Sequence, residues 1–249
     1  MSTPTIIFGV HITPVTLEDL LNRLGKILLS GQRAIITHVH ITGLNIAFEN
    51  PWFKDFLNKA EINYCDGMGV KLASHYLGSP LPERCTLVDW MPKFAEICEQ
   101  NQKSWYFLGN SPGSVDLVVD IYRERFPSLT IVGAHHGFFN FSLNHPNTIE
   151  IIDEINRLKP DVLLIGFGMP HQEKWLLENW NRLAVQMALT CGGTFDTLAG
   201  INKRGPAWLT QNYFEWLSRL IYSPQKYWKR YFRDIPLFFY RVLLQKFCK

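Results

Sequence analysis

Between residues 5 and 190, apolar runs of five or six residues alternate with longer stretches whose apolar positions recur every three or four residues. The runs are 5–10 (TIIFGV), 34–39, 61–65, 104–108, 129–133, 161–166 and 185–190. Several are apolar along their whole length, the pattern of parallel strands covered on both faces. The stretches between them predict helices over 16–30, from Asn50-Pro51 onward, and over 88–100, 111–126, 146–158 and 170–182. In the first, Leu17, Leu20, Leu21, Leu24, Ile27 and Leu28 share one face, Thr16 caps the start and Gly31 the end. Asn50-Pro51 reads as an N-cap followed by proline at the first helical position. The alternation predicts a doubly wound, Rossmann-like α/β domain over about 1–200.

After Gly200 the pattern changes. Helical spacing fits 206–221 and 224–233, and Asp234-Ile235-Pro236 starts another helix. Thirteen of the chain's 34 aromatic residues lie in 203–249. Trp228, Tyr231, Phe232 and Ile235 make one apolar face beside Lys229, Arg230 and Arg233. We therefore expect a helical appendage over 201–249 with the composition of an interfacial helix; packing onto the α/β domain is the alternative. Charge sharpens the contrast. Ten Lys and Arg against two acids give 203–249 a charge of +8, and fifteen against twenty leave −5 elsewhere. Such a tail suits an anionic partner, though a solvated basic face has the same signature. No apolar run approaches the roughly 20 residues that span a bilayer. The start of the chain lacks the basic and apolar regions of a signal peptide. Five scattered cysteines without a CxxC spacing argue against a disulfide framework and fit a reducing cytosol.

In open α/β sheets ligands bind beyond the carboxyl ends of the strands, so candidate chemistry is sought there. "YCDGMGV" puts Asp66 directly after a strand, with Gly67 and Gly69 beside it; Asp66 reads as a general base or as the cap of the next helix, and on these residues alone the cap ranks first. "FLGNSPGSVD" is a strand, a turn and a helix start, where Gly109 and Asn110 can present N–H groups to a phosphate. "IGFGMPHQEKW" repeats the arrangement, with Gly168 in the turn and Gln172 and Glu173 in the first helical turn, facing a ligand or serving as ordinary helix-start residues. His171 stands where a dinucleotide fingerprint needs its third glycine, which disfavours an NAD-dependent enzyme. Gly192-Gly193 allow close approach near Asp196. His38 and His40 share a strand face without an evident third metal ligand. Walker A, GxSxG and HExxH patterns are absent, as is Asp-x-Asp. A diphosphate would then be met by cations or helix N-termini, not by a bound metal.

Taken in order, "YCDGMGV", "PERC", "WYFLGNSPGSVD", "VGAHHGFF", "DVLLIGFGMPHQEKW", "CGGTFDTLAG" and "RGPAWLTQNYFEWLSRLIYSPQKYWKRYF" resemble the WecG/TagA/CpsF glycosyltransferases, glycosyltransferase family 26. The resemblance covers about 34–235, and its last two stretches are the most specific. It implies a cytoplasmic enzyme, peripheral on the inner face of the membrane, with a Rossmann-like fold. The implied reaction is inverting and metal-independent: a sugar moves from a UDP donor to a sugar on a polyprenyl diphosphate, in cell-surface polysaccharide biosynthesis. Residue by residue, Asp66 falls on the family's catalytic base, Arg84 on a substrate-contacting arginine, and Gln172 and Asp196 on pocket residues. Arg219, Lys226, Lys229 and Arg230 fall on appendage cations that reach the diphosphate, and Arg204 is a further candidate to bind substrate. The family's Thr-x-Asn falls on His38-Val39-His40, with Thr37 and Asn45 nearby but out of register. His38 is therefore a candidate to share the proton transfer, His40, Thr37 and Asn45 are candidates to bind substrate, and the donor is of N-acetylmannosamine or glucose type. Leu87, where the family has glycine near this point, is expected to narrow the pocket. A non-catalytic membrane- or nucleic-acid-binding module using the basic tail is the rival reading; the resemblance implies no nucleic-acid partner and leaves homo-oligomerisation open.

Overall fold

The computed structural model describes residues 3–202, 228 and 230–247. Among the described residues eight strands are present. The first two are not one strand at 5–10, as the apolar run suggested, but a hairpin of β1 (Thr5–Ile7) and β2 (Val10–Ile12). Phe8 and Gly9, both at positive φ (55° and 77°), turn the chain between them, a feature the pattern of apolar positions does not register.

The remaining six form one parallel sheet in the order β4 (Ile62–Cys65), β3 (Ala34–Val39), β8 (Met187–Thr190), β7 (Val162–Gly166), β5 (Trp105–Gly109), β6 (Ile131–His135). The α/β class expected from sequence is observed. Helix α1 (Leu17–Ser30) forms as its spacing predicted: the Thr16 hydroxyl accepts from the Asp19 N–H at 3.1 Å, and Gly31 closes the helix in the left-handed region. A helix after Asp66 is present as α4 (Met68–Tyr76), and α2 (Ile41–Glu49), which the pattern of apolar positions did not single out, follows β3 after the single residue His40. Between them α3 (Pro51–Lys59) starts at Pro51 as expected, but Asn50 does not cap it; its amide donates to the Ile46 carbonyl of α2 at 3.0 Å.

Apolar side chains on opposite faces of the sheet build two cores. One lies under α1, α5 (Leu87–Gln100) and α6 (Ser114–Arg125), with Trp90, Phe94, Trp105, Phe107 and Tyr122 packed ring to ring. Leu87 is buried in this core and does not line a pocket, which corrects its expected role. The other lies under α2, α3, α7 (Pro146–Leu158), α8 (His171–Asn179) and the hairpin. A further helix, α9 (Thr194–Leu198), follows β8. The chain leaves β5 for the first face and β7 for the second, so neighbouring strands diverge there, the geometry that opens a crevice at carboxyl ends.

The expected helix from Asp234 onward is present as α10 (Ile235–Phe247), after a π-helical turn over Arg230–Asp234. Phe238 and Val242 sink into the second core, and Gln245 bonds the backbone of Ile6 and Phe8. Arg241, 9% exposed, donates to the Asn45 carbonyl and side-chain oxygens and to Glu49, with its guanidinium 4.3 Å above the Phe48 ring. Tyr240, Leu243 and Phe247 stay on the outer side. Among the described residues no helix is long and apolar enough to cross a membrane. The expected helix over 206–221 lies outside the described residues.

Candidate functional site

The carboxyl edge of the sheet is built from backbone in its middle and from side chains at one flank. In the middle, Gly109 and Gly166 stand opposite each other at the ends of β5 and β7. A β-carbon on Gly109 (φ +151°) would fall 2.6 Å from three backbone atoms of Gly166. Only glycine allows this approach. The Asn110 N–H donates to the Gly166 carbonyl at 2.9 Å, and the Gly137 N–H donates to the Asn110 carbonyl at 2.7 Å. Asn110 itself adopts φ 56°, and its side-chain Nδ2 is buried without a partner among the described residues. A buried amide donor with nothing to donate to is costly unless a ligand completes it.

Gly168 follows β7, and Gly192-Gly193 follow β8. Their turns are joined from beneath. The Gly168 and Gly192 N–H groups donate to Gln172 Oε1 at 3.3 and 3.0 Å, and Gln172 Nε2 donates to Glu173 Oε1 at 2.8 Å. Both side chains are fully buried, so they turn inward from the helix start and not toward an open cleft. Burial pushes the Glu173 carboxyl up to about 7, and the Gln172 bond offsets only part of this. Asp196 is in the first turn of α9, where its carboxylate accepts from the Ser114 hydroxyl at 2.9 Å, tying α9 to the start of α6. Ser114 carried no signal in the sequence beyond its place at a helix start.

At the flank, the Asp66 N–H donates to the Val39 carbonyl, which extends the β3–β4 ladder by one residue and sets Asp66 half-exposed on the rim. Gly67, not Asp66, is the cap residue of α4, so the carboxylate is not consumed in capping. Behind burial, the Asp66 charge is the next cause that drives the Tyr64 hydroxyl well above its ordinary value. The "PERC" loop lies alongside: the Cys85 N–H donates to the Cys65 carbonyl at 2.9 Å, which brings half-buried Arg84 next to this strand end. Arg84's charge also eases the Cys65 thiol, which burial pushes up to about 12.

The histidines divide. His38 is buried, and its Nδ1 lies 3.2 Å from the Thr190 carbonyl and 3.4 Å from the Thr190 hydroxyl, so Thr190 holds the ring in place. His40 caps α2, its Nδ1 accepting from the Gly43 N–H at 3.4 Å, so its Nε2 is a donor. A β-carbon on Gly67 would come within 3.4 Å of His40 Cβ, so His40 stands beside the Asp66-Gly67 turn, while His38 lies one register step back, paired with Tyr64. Thr37 and Asn45 are elsewhere. The Thr37 hydroxyl donates to Asn63 Oδ1 inside the sheet. The Asn45 amide donates to the Asp234 carbonyl and accepts from Arg241, holding α10. The structure thus gathers Asp66, Gly67, His40 and Arg84 at the flank and Gly109, Asn110, Gly168 and Asp196 around the crevice. Arg204, Arg219, Lys226 and Lys229 lie outside the described residues, and Arg230 is described only as backbone in the π-helical turn.

Comparison with known proteins gives the family. The model of the "Glycosyl transferase WecG/TagA/CpsF family" matches residues 5–249. Two relatives, from Staphylococcus aureus strains NCTC 8325 / PS 47 and MRSA252, are each 27% identical over 205 residues, covering 82% of this chain and 77% of the relative. Both are named N-acetylglucosaminyldiphosphoundecaprenol N-acetyl-beta-D-mannosaminyltransferase. With the motifs, the parallel sheet and a match over nearly the whole length in agreement, the chain belongs to the WecG/TagA/CpsF glycosyltransferase family and is a sugar-transferring enzyme.

Proposed function

We propose that this enzyme moves a sugar of N-acetylmannosamine or glucose type, with inversion, from a UDP donor to a sugar carried on a polyprenyl diphosphate. The observation that carries the reading is a half-exposed carboxylate, Asp66, on the same edge as a glycine-floored crevice holding an unpartnered buried amide at Asn110. From β4 to β5 the edge spans four strand spacings, roughly 19 Å. That leaves room for a nucleoside diphosphate and its sugar laid across the strand ends, nucleotide at the crevice and anomeric carbon near Asp66. The acceptor hydroxyl attacks that carbon from the face opposite UDP. A carbon–oxygen bond forms as the bond to the β-phosphate oxygen breaks, the hydroxyl proton passes to Asp66, and UDP leaves with the electron pair. The relatives' names support an acceptor of the N-acetylglucosaminyl diphospho-undecaprenol class.

Charge develops on the departing diphosphate. In the proposed mechanism it is met by Arg84 and by the family-matched cations Arg219, Lys226, Lys229 and Arg230, without a metal. The chain has no Asp-x-Asp pair to hold one. Exposed Trp228, Phe232, Tyr240 and Phe247 beside Arg233 and Lys246 support peripheral contact with the leaflet that carries the acceptor. The test is UDP release by the full chain in EDTA, with wild type and Asp66→Asn. Expected are turnover by wild type in EDTA and a loss of 10²-fold or more in the variant. Undiminished turnover by Asp66→Asn sinks the assignment of the base.

A further inference from the structure

Gln172 and Glu173 were expected to face substrate, yet both are fully buried, and their bonds run to the two turns that border the crevice. We propose that Glu173 is a positioning residue: it holds the Gln172 amide in the orientation that staples the turn after β7 to the turn after β8, and so sets the shape of the crevice. The inference rests on the reading that the donor nucleotide occupies that crevice.

The argument is one of hydrogen-bond accounting. Gln172 Oε1 takes two backbone donors, from Gly168 and Gly192, which are 24 residues apart in the chain and belong to different strands. An amide so held points its Nε2 into the core, where it needs an acceptor. Glu173 Oε1 supplies it at 2.8 Å. Without that acceptor a buried N–H₂ is stranded, and the amide regains it only by turning away from one or both glycines. Glu173 is a poor choice for stability alone. Its second oxygen, Oε2, is buried without a partner among the described residues. Its carboxyl is pushed up to about 7 by burial, so ionisation at neutral pH places charge in the core. A side chain that does the core no good but completes a bond under the site is what a functional constraint leaves behind.

The consequence is a separation of stability from function. In the full-length protein, Glu173→Met removes the carboxyl and fills much of its volume. Amide exchange at Gly168 and Gly192 is expected to speed up tenfold or more, and UDP affinity by calorimetry to fall tenfold or more, while Tm at pH 8 stays level or rises. Glu173→Gln retains a carbonyl acceptor and recovers both protection and affinity. Gln172→Leu serves as a second route if Glu173→Met does not fold, with the same fast exchange at both glycines. Two results overturn the proposal: protected glycine amides in either staple-breaking variant, or a Glu173→Gln protein that behaves as Glu173→Met does. Exchange needs no ligand, so wild-type protein that fails to bind UDP removes the functional reading while the exchange result still judges the staple.

Discussion

The approach of β5 to β7 yields a prediction whose size follows from the geometry. In Gly109→Ala the new methyl group meets the N, Cα and C of Gly166 at 2.6 Å. These are backbone atoms in the middle of the sheet, fixed by the Gly109–Gly166 register and by the Asn110 N–H bond to the Gly166 carbonyl. No flexible side chain can move aside, so the strands must separate. Overpacking of this kind costs about 1–3 kcal/mol, and a non-glycine residue at φ +151° adds strain of order 1–3 kcal/mol. The sum, about 4 kcal/mol, is a large part of the roughly 5–15 kcal/mol that holds a domain folded. Gly31→Ala is the control: φ is also positive, +73°, but nothing lies within 4 Å of the added carbon, leaving only left-handed strain of about 1–2 kcal/mol. Urea unfolding of both variants measures the difference, expected to be about 3 kcal/mol with unchanged m-values. If Gly109→Ala costs no more than Gly31→Ala, the close backbone approach at the centre of the site is wrong, and with it the crevice.

Two further outcomes are expected. Arg241→Met keeps the stem of the side chain but deletes its bonds to the Asn45 oxygens and to Glu49, and should cost about 2–3 kcal/mol, read by urea unfolding, with faster amide exchange along α10; unchanged exchange there would show that α10 is held by its apolar face alone. Glu173 should also give stability a pH dependence. Its folded value of about 7 lies above the ordinary 4.5, so the folded state holds its proton more tightly. The contribution is full below about pH 4.5 and is lost as pH rises to about 7, some 3 kcal/mol in total. The difference in urea midpoint between pH 5 and pH 8 should shrink in Glu173→Gln; an identical pH dependence would mean that Glu173 titrates normally.

Much of the scaffold was readable without coordinates. Short apolar runs such as 162–165, repeated between helical stretches, fit strands buried on both faces, and the leucine spacing of 17–28 fits an amphipathic helix; together they point to a parallel sheet with two helical layers. Asp66 and the glycines after β5, β7 and β8 were also legible as edge residues, because the end of each strand is visible in its own sequence. The roles of Asn45, Gln172 and Thr37 were not. Each is a polar residue near a strand end, and nothing local says whether it faces a ligand or the protein. Asn45 turns to Asp234 and Arg241, nearly two hundred residues along the chain, Gln172 turns to Gly192, and Thr37 to Asn63 on the neighbouring strand.

The division has a physical cause. Secondary structure and the layering of the domain follow from the period of burial, and that period is written in consecutive residues, so the order of side chains along the chain determined the α/β architecture, the edge on which chemistry is placed and Asp66 on its rim. Which polar atoms are satisfied, and by whom, depends on partners brought together by folding. The tertiary structure alone decided that the Gln172 amide braces two turns, that Asn110 keeps an amide open beside the crevice, and that His40 stands against the Asp66-Gly67 turn, since such contacts reach about 3 Å in space whatever the separation in sequence.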